Sequence, residues 1–497
     1  MIILHSTILP IQRIIRKEKY QPGANPMREA FFISVFPASD ISLCKVYLHK
    51  SLKFVVSRNT VLHKSLKAQS LCKHSLHKLM NYVIICMEEV HIMRLKREIY
   101  LEQIRPYYDS DIIKVITGVR RAGKSILLDT IKDELIERGV NDSQIIYLNL
   151  EDMDYDYIVD ASDLNKEIKA RIHGEDKFYI FLDEVQHVQN FEKALASFRA
   201  TLNVSLFVTG SNSTLLSGEL ATLLTGRTVE FEILPFSFRE MKQYYELNKM
   251  DWDDALFFNY LKWGGFPLRF DYKDDESILR YLSNLYESIV SRDILSKSKS
   301  AERKNFMDIS LYILANAGKE LSVDNIVAAR KKEGKEISRR TIYNYLERMK
   351  KAYLIHGVGR YNIVGKSALS NREKQYAVDM GFRTINTNTI NYEDTFFLEN
   401  VIYNELITRG YHVFAGKTFK GEIDFVAIKG GKKCFIQVAY LLSSSETIQR
   451  EFGAYCKITD ASPKYVMSLD KIDMSHDGIV HVNIVDFLLG RVDLLLT

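Results

Sequence analysis

Glycine, lysine and a hydroxyl at fixed spacing are what a backbone needs to cradle a phosphate. The stretch Gly118-Val119-Arg120-Arg121-Ala122-Gly123-Lys124-Ser125 supplies them in the order G-x-x-x-x-G-K-S. In that pattern the glycines let backbone N–H groups wrap the β-phosphate of ATP, Lys124 neutralises β and γ oxygens, and Ser125 ligates Mg²⁺. Fifty-nine residues beyond Lys124, the apolar run Phe178-Tyr179-Ile180-Phe181-Leu182 ends in Asp183-Glu184. Asp183 is expected to hold Mg²⁺ through water and Glu184 to polarise the attacking water. Farther on, Thr209-Gly210-Ser211-Asn212 closes another apolar run, where Ser211 or Asn212 could sense the γ-phosphate. The same residues also suit an N-cap for a helix from Thr214 onward. Arg227 has two readings as well, an arginine finger acting in cis or in trans, or a surface ion pair.

These groups work only if strands and helices present them together. Ile112, Ile113, Val115 and Ile116 read as a buried strand running into Gly118. Ile126, Leu127, Leu128, Ile131 and Leu135 then recur at helical spacing. Strands are expected at Gln144–Leu150, Phe178–Asp183, Ser205–Val208 and Val229–Ile233, with a helix over Ser125–Arg138. That alternation predicts a parallel α/β sheet with its ligand at the carboxyl ends of the strands. Helices over Asp251–Trp263 and Ser277–Ser296, joined by the turn Gly264-Gly265-Phe266-Pro267, read as a helical lid.

Beyond the lid, Ser322 and Ser338 are expected to cap the second and third of three short helices. Ile355-His356-Gly357-Val358-Gly359-Arg360-Tyr361-Asn362-Ile363 follows as a two-stranded wing turning on its glycines. The sum is a winged helix-turn-helix with Ser338, Arg339, Arg340, Tyr343 and Asn344 at the start of its third helix, where base edges of double-stranded DNA are reached. Winged helices also bind proteins, so the target is DNA or a partner protein. In the tail, Glu399 on a helix, Asp424 at a strand and Gln437 on the next strand fill places of the metal-nuclease arrangement called PD-(D/E)XK. Ala439 stands where its lysine should be. Without that lysine, and with a neutral Gln437, metal binding and hydrolysis both weaken. Lys420 or Lys433 is the nearest substitute, and a nuclease-like fold without nuclease activity is the expectation.

Composition narrows the class. With 46% hydrophobic and 26% charged residues in 497, this is an ordinary globular composition, and no apolar run approaches membrane-spanning length. Five cysteines without disulfide or metal-ligand spacing fit a reducing, cytoplasmic setting. The net charge of +5 is unevenly spread. Residues 1–92 hold 13 Lys/Arg against 5 Asp/Glu, and the other 405 hold 55 against 58. That first stretch, with its near-repeat Leu48-His49-Lys50-Ser51-Leu52-Lys53 and Leu62-His63-Lys64-Ser65-Leu66-Lys67, reads as a nucleic-acid arm or as an extension upstream of a working protein that begins near Met93. Its scattered Cys, His and Phe favour the extension.

From Met93 to Thr497 the chain resembles prokaryotic AAA-type ATPases, related to archaeal and STAND-like branches, that carry a C-terminal domain of unknown function with a restriction-endonuclease-like core. The resemblance rests on Ile116 to Ser125, Leu182-Asp183-Glu184-Val185-Gln186, Val208-Thr209-Gly210-Ser211 and Leu234-Pro235-Phe236-Ser237-Phe238. Glu422-Ile423-Asp424-Phe425-Val426 and Ile436-Gln437-Val438-Ala439-Tyr440 belong with them. It implies ATP at Gly118–Ser125, Mg²⁺ at Ser125 and Asp183, and hydrolysis assisted by Glu184. The expected layout is an extension over 1–92, an ATPase core over 93–240, a lid over 241–300, a winged helix over 301–365 and a nuclease-like domain over 366–497. The expected function is an ATP-driven switch acting on DNA or a partner protein, away from any membrane. The rival readings are an ATP-gated nuclease and a switch that never meets DNA.

Overall fold

Buried β-branched and aromatic runs build the first sheet of the computed structural model, which describes residues 95–211, 224, 226–295, 300–363, 367–385, 395–418, 421–456 and 458–494. The basic stretch 1–92 and Asn212 therefore lie outside the described residues, and the chain from Ile92 onward forms one compact unit. In order come α1 (Glu98–Ile104), β1 (Ile113–Thr117), α2 (Lys124–Glu137), β2 (Ile145–Asn149), α3 (Ala161–Arg171), β3 (Phe178–Asp183), α4 (Phe191–Thr201), β4 (Val204–Thr209) and β5 (Thr228–Glu232). The five strands pair in parallel, in the order β2-β3-β4-β1-β5. Every residue of β1, β3 and β4 is buried, as strands covered by helices on both faces must be. Phe181 and Phe207 stack at 4.7 Å between neighbouring strands. The register sets Asp183 opposite Asn149, and Thr209 opposite Ile116, so the polar strand ends gather on one edge.

Helices α5 (Phe238–Leu247), α6 (Leu256–Trp263) and α7 (Asp275–Ile289) follow, and α7 continues into a π-helical turn, Val290–Ile294. Ser237 and Glu240 cap α5 reciprocally. The turn at Gly264-Gly265 is pinned from far along the chain, where the buried Asp379 carboxylate accepts from Gly265 N at 2.7 Å. Next stand α8 (Ser300–Ala315), α9 (Val323–Lys332) and α10 (Arg339–Lys351). The Ser322 hydroxyl accepts from Asn325 N at 3.2 Å and that of Ser338 from Thr341 N at 3.1 Å. Ile342, Tyr345, Leu346 and Met349 form the buried stripe of α10.

The expected two-stranded wing is corrected by the structure. Ile355–Asn362 is a single strand, β6, paired antiparallel with β7 (Ser367–Ala377) and parallel with β8 (His412–Lys417). Gly357 makes no turn. A Cβ there would come within 2.4 Å of Glu373 Oε2 and 2.7 Å of Lys350 Cε, so glycine allows an ion-paired side chain from each neighbour to cross the strand. The chain goes on through α11 (Met380–Thr384), α12 (Thr395–Thr408), β8, β9 (Glu422–Lys429), β10 (Lys432–Val438), α13 (Ser445–Gly453), β11 (Lys464–Ser468), β12 (Val480–Asn483) and α14 (Ile484–Leu488). Its seven strands order as β12-β11-β10-β9-β8-β6-β7, so the expected division at 365/366 runs through one hairpin.

The two sheets meet through carboxylates of β5. Glu230 Oε1 accepts from Thr117 Oγ1 at 2.8 Å and from Tyr353 OH at 3.1 Å. Glu232 Oε1 lies 2.6 Å from Nε2 of His356 on β6. Burial works against a charged His356, but the Glu232 carboxylate outweighs it and raises the imidazole pKa.

Candidate nucleotide site

Gly118 follows directly from β1 with φ of 131°, and a Cβ on it would lie 2.2 Å from the carbonyl oxygen of Ile233. Only glycine fits that close approach. Gly123, with φ of 101°, is the N-cap of α2, so the loop ends on a helix N-terminus with its free N–H groups. Lys124 is buried at 4% exposure, and its Nζ donates to Gly118 O at 3.0 Å, Val119 O at 3.2 Å and Ser211 Oγ at 2.8 Å. Ser211 in turn donates to Glu184 Oε1 at 2.9 Å. One hydroxyl thus joins the loop lysine to the acid after β3.

Thr209 organises the other half. Its hydroxyl donates to Asp183 Oδ1 and accepts from Glu184 N at 2.8 Å. Tyr147 OH reaches Asp183 Oδ2 at 3.4 Å. Burial raises the Asp183 pKa against the pull of Ser125 and Thr209. For Glu184, burial pushes upward, but Lys124 and hydrogen bonds from Gln186 and Ser211 bring it below the ordinary value. Burial lowers the Lys124 amine, opposed by Glu184 and Asp183. The site therefore offers an ionised acceptor, a buried cation and a hydroxyl–carboxylate pair within one edge of the sheet.

Of the residues picked from sequence, Gly118 to Ser125, Asp183, Glu184 and Ser211 come together. Arg227 does not join them. It is exposed at the start of β5, its carbonyl accepting from Ile113 N, which is the opposite end of β1 from Gly118. Arg227 thus lies away from the phosphate loop of its own chain. Thr209 is legible from sequence, standing two residues before Ser211 at the end of the same strand, whereas Arg97 has no local signal. Arg97 is 3% exposed and donates to Ala122 O of the loop at 3.0 Å and to both oxygens of Glu240 at 2.7 and 2.8 Å. Breaking a buried ion pair costs about 3–5 kcal/mol. Arg97→Met is expected to lower unfolding free energy by that order, and Arg97→Met with Glu240→Leu to restore much of it. Denaturant titration checks this, and equal losses in single and double variants would count against it.

In the tail, Glu399, Asp424 and Gln437 also converge, but around a side chain that sequence missed. Lys374 of β7, buried at 5% exposure, lies 3.5 Å from Glu399 and 3.7 Å from Glu422. Asp424 accepts from Val438 N at 2.8 Å, and its N–H donates to Gln437 Oε1 at 3.3 Å. Burial raises both the Asp424 and Glu399 carboxyls, with Lys374 opposing. Ala439 packs among Ile423, Phe435 and Phe452. Lys433 is taken by Asp460 at 2.6 Å, and Lys420 lies outside the described residues. Among the described residues no three His, Cys, Asp or Glu side chains are arranged to hold a metal. Ser338, Arg339, Arg340, Tyr343 and Asn344 share an exposed face at the start of α10, Tyr343 at 57% exposure and Arg339 hydrogen-bonded to Asp324. No helix among the described residues is long and apolar enough to cross a membrane.

Comparison with known proteins meets this geometry from outside. An AAA domain family matches residues 110–242, and a domain of unknown function (DUF8612) matches 254–390. Over 402 residues the chain is 35% identical to an uncharacterized protein of Haemophilus influenzae, covering 80% of this chain and 98% of that one. The chain belongs to that protein's family. It is also 30% identical over 388 residues to the uncharacterized protein MJ1544 of Methanocaldococcus jannaschii, covering 75% of this chain and 85% of that protein. A Walker-type ATPase of Pyrococcus abyssi superposes with a TM-score of 0.43 at 16% identity, over 59% of this chain and 95% of that one. The P-loop and parallel sheet are those of an AAA-type ATPase domain.

Proposed function

We propose that this family member binds and hydrolyses ATP at Gly118–Ser125 and uses the nucleotide state as a switch acting on double-stranded DNA or a partner protein. The observation that carries the reading is the relay from Lys124 through Ser211 to Glu184, at the carboxyl ends of three parallel strands. The loop amides and Lys124 bind phosphate oxygens. Ser125 and Asp183 are the residues that would hold Mg²⁺, the hydroxyl at the start of α2 and the carboxylate at the end of β3 being the usual pair for that ion. When bound, the ion supplies positive charge against the phosphates. Glu184, ionised and fixed by Ser211 and the left-handed turn at φ of 53°, orients the attacking water and accepts its proton. Ser211 ties that carboxylate to the phosphate loop, so a rearrangement of Lys124 on phosphate reaches Glu184 directly.

The output is assigned to the three helices α8, α9 and α10, with Arg339, Arg340, Ser338, Tyr343 and Asn344 as the contact face. Salt-dependent binding to duplex DNA tests this. Arg339→Ala with Arg340→Ala is expected to weaken binding severalfold and to flatten its salt slope by up to about two counterions. Unchanged affinity and slope would make a protein the target.

The tail acts as an inert nuclease-like platform, because Gln437 is neutral where a second anionic ligand would stand, and among the described residues no three His, Cys, Asp or Glu side chains are arranged for a divalent ion, although Lys374 brings a cation beside Glu399. Incubated with plasmid and Mg²⁺ or Mn²⁺, the protein is expected to leave the DNA intact, with Asp424→Ala indistinguishable from it. Cleavage that vanishes in Asp424→Ala would promote the ATP-gated nuclease instead.

A further inference from the structure

One carboxylate beside the phosphate loop has no part in that scheme. Where α7 ends, the π-helical turn Val290–Ile294 turns Asp293 onto the loop, its Oδ1 lying 3.9 Å from Arg120 Nη1, with the two side chains 15% and 13% exposed. Asp293 Oδ2 is buried and has no hydrogen-bond partner among the described residues. Lys124 and Glu184 both act on it through space. The guanidinium of Arg120 is shared, since Glu151 after β2 holds it at 2.8 Å, and Arg292 of the same π turn reaches Glu151 at 3.7 Å. A chain of alternating charges, Asp293 to Arg120 to Glu151 to Arg292, therefore fastens the end of the lid to the phosphate loop. π-helical turns are costly and cluster at functional positions, and an unpartnered buried carboxylate oxygen is costly too.

We propose that Asp293 is a positioning residue that acts through Arg120, and that this pair reports an occupied phosphate loop to the lid. The proposal rests on the nucleotide reading of the loop. Arg120 is held by two carboxylates, and a nucleotide phosphate is a stronger, bidentate competitor for the same fork of N–H donors. As Arg120 turns to phosphate, Asp293 loses its guanidinium contact and faces the negative charge of Glu184. Burial already pushes the Asp293 carboxyl up to about 6, against the pull of Arg120, which marks how poorly the pocket tolerates that charge once the guanidinium leaves. The π turn is then released. Coupling of this kind is reciprocal, so a lid held by Asp293 opposes nucleotide binding to the same degree.

Amide hydrogen exchange of the full chain, with and without ATP, tests the proposal. In the wild type, ATP is expected to speed exchange over residues 288–295. In Asp293→Asn, an isosteric change, ATP is expected to bind about fivefold more tightly, and exchange over 288–295 no longer responds to it. Arg120→Gln must also abolish the exchange response, whatever it does to affinity, and it serves if Asp293→Asn fails to fold. ATP binding by the wild type with an unresponsive segment, or a response preserved in either variant, overturns the role of Asp293 alone. Failure of the wild type to bind ATP in calorimetry removes the nucleotide reading and this inference with it.

Discussion

Lys124→Ala is expected to weaken ATP binding on the order of a hundredfold or more. The amine is buried, and its hydrogen bonds run to two loop carbonyls and Ser211, so it is already aimed inside the cradle that Gly118 and Gly123 shape. Alanine removes the positive charge in the loop and leaves the Ser211–Glu184 pair facing incoming phosphate without it. Arg120 does not fill the place of that amine, since its guanidinium lies between Glu151 and Asp293, apart from the two loop carbonyls and Ser211 that hold Lys124. Helix α2 should survive, since alanine is a strong helix former at the position after the N-cap. Equilibrium binding of ATP, read beside an unfolding curve, separates lost affinity from lost fold. Full turnover in Lys124→Ala would show that the phosphate site has been misassigned.

Glu184→Gln is expected to do something different, retaining ATP affinity while lowering turnover by roughly 10²–10⁴-fold. Glutamine keeps the shape, and its carbonyl can still accept from Ser211, so the loop and its lysine stay in place. What disappears is the ionised carboxylate that Lys124, Gln186 and Ser211 keep below its ordinary pKa against burial. Without it the attacking water has no acceptor for its proton. Single-turnover hydrolysis with saturating ATP isolates that step. Turnover near the wild-type rate would mean that another group takes the proton.

How much of this was legible in the residues depended on distance along the chain. The phosphate loop and Asp183-Glu184 announce themselves because their chemistry is local, one strand and the turn that follows it. The caps at Ser322 and Ser338 were equally legible, since a cap bonds an amide three residues away. Gly357 and Gly359 misled for a definable reason. A glycine in a strand can mark a turn or a close approach, and only Lys350 and Glu373, contributed by flanking elements, decide for the second. Arg97, Asp293 and Lys374 were invisible because each meets its partners across long sequence separations, where spacing carries no information. Lys374 also reverses one expectation of detail, since the cation near Asp424 comes from β7 rather than from Lys420 or Lys433.

The β5 carboxylates carry a consequence for any attempt to treat the AAA segment as a cassette. Residues 110–242 include Glu230, Glu232 and Glu240 but not Tyr353, His356 or Arg97. Cut at those limits, the fragment would strip three acids of partners that lie on either side of it. Glu240 would lose the guanidinium that pairs with it in the core, and the Glu230 carboxylate that accepts from Thr117, the last residue before the phosphate loop, would lose its second donor, Tyr353. Domain exchange between relatives would therefore have to carry Arg97, Tyr353 and His356 along with the module. The heritable unit of this protein is larger than its nucleotide-binding sheet.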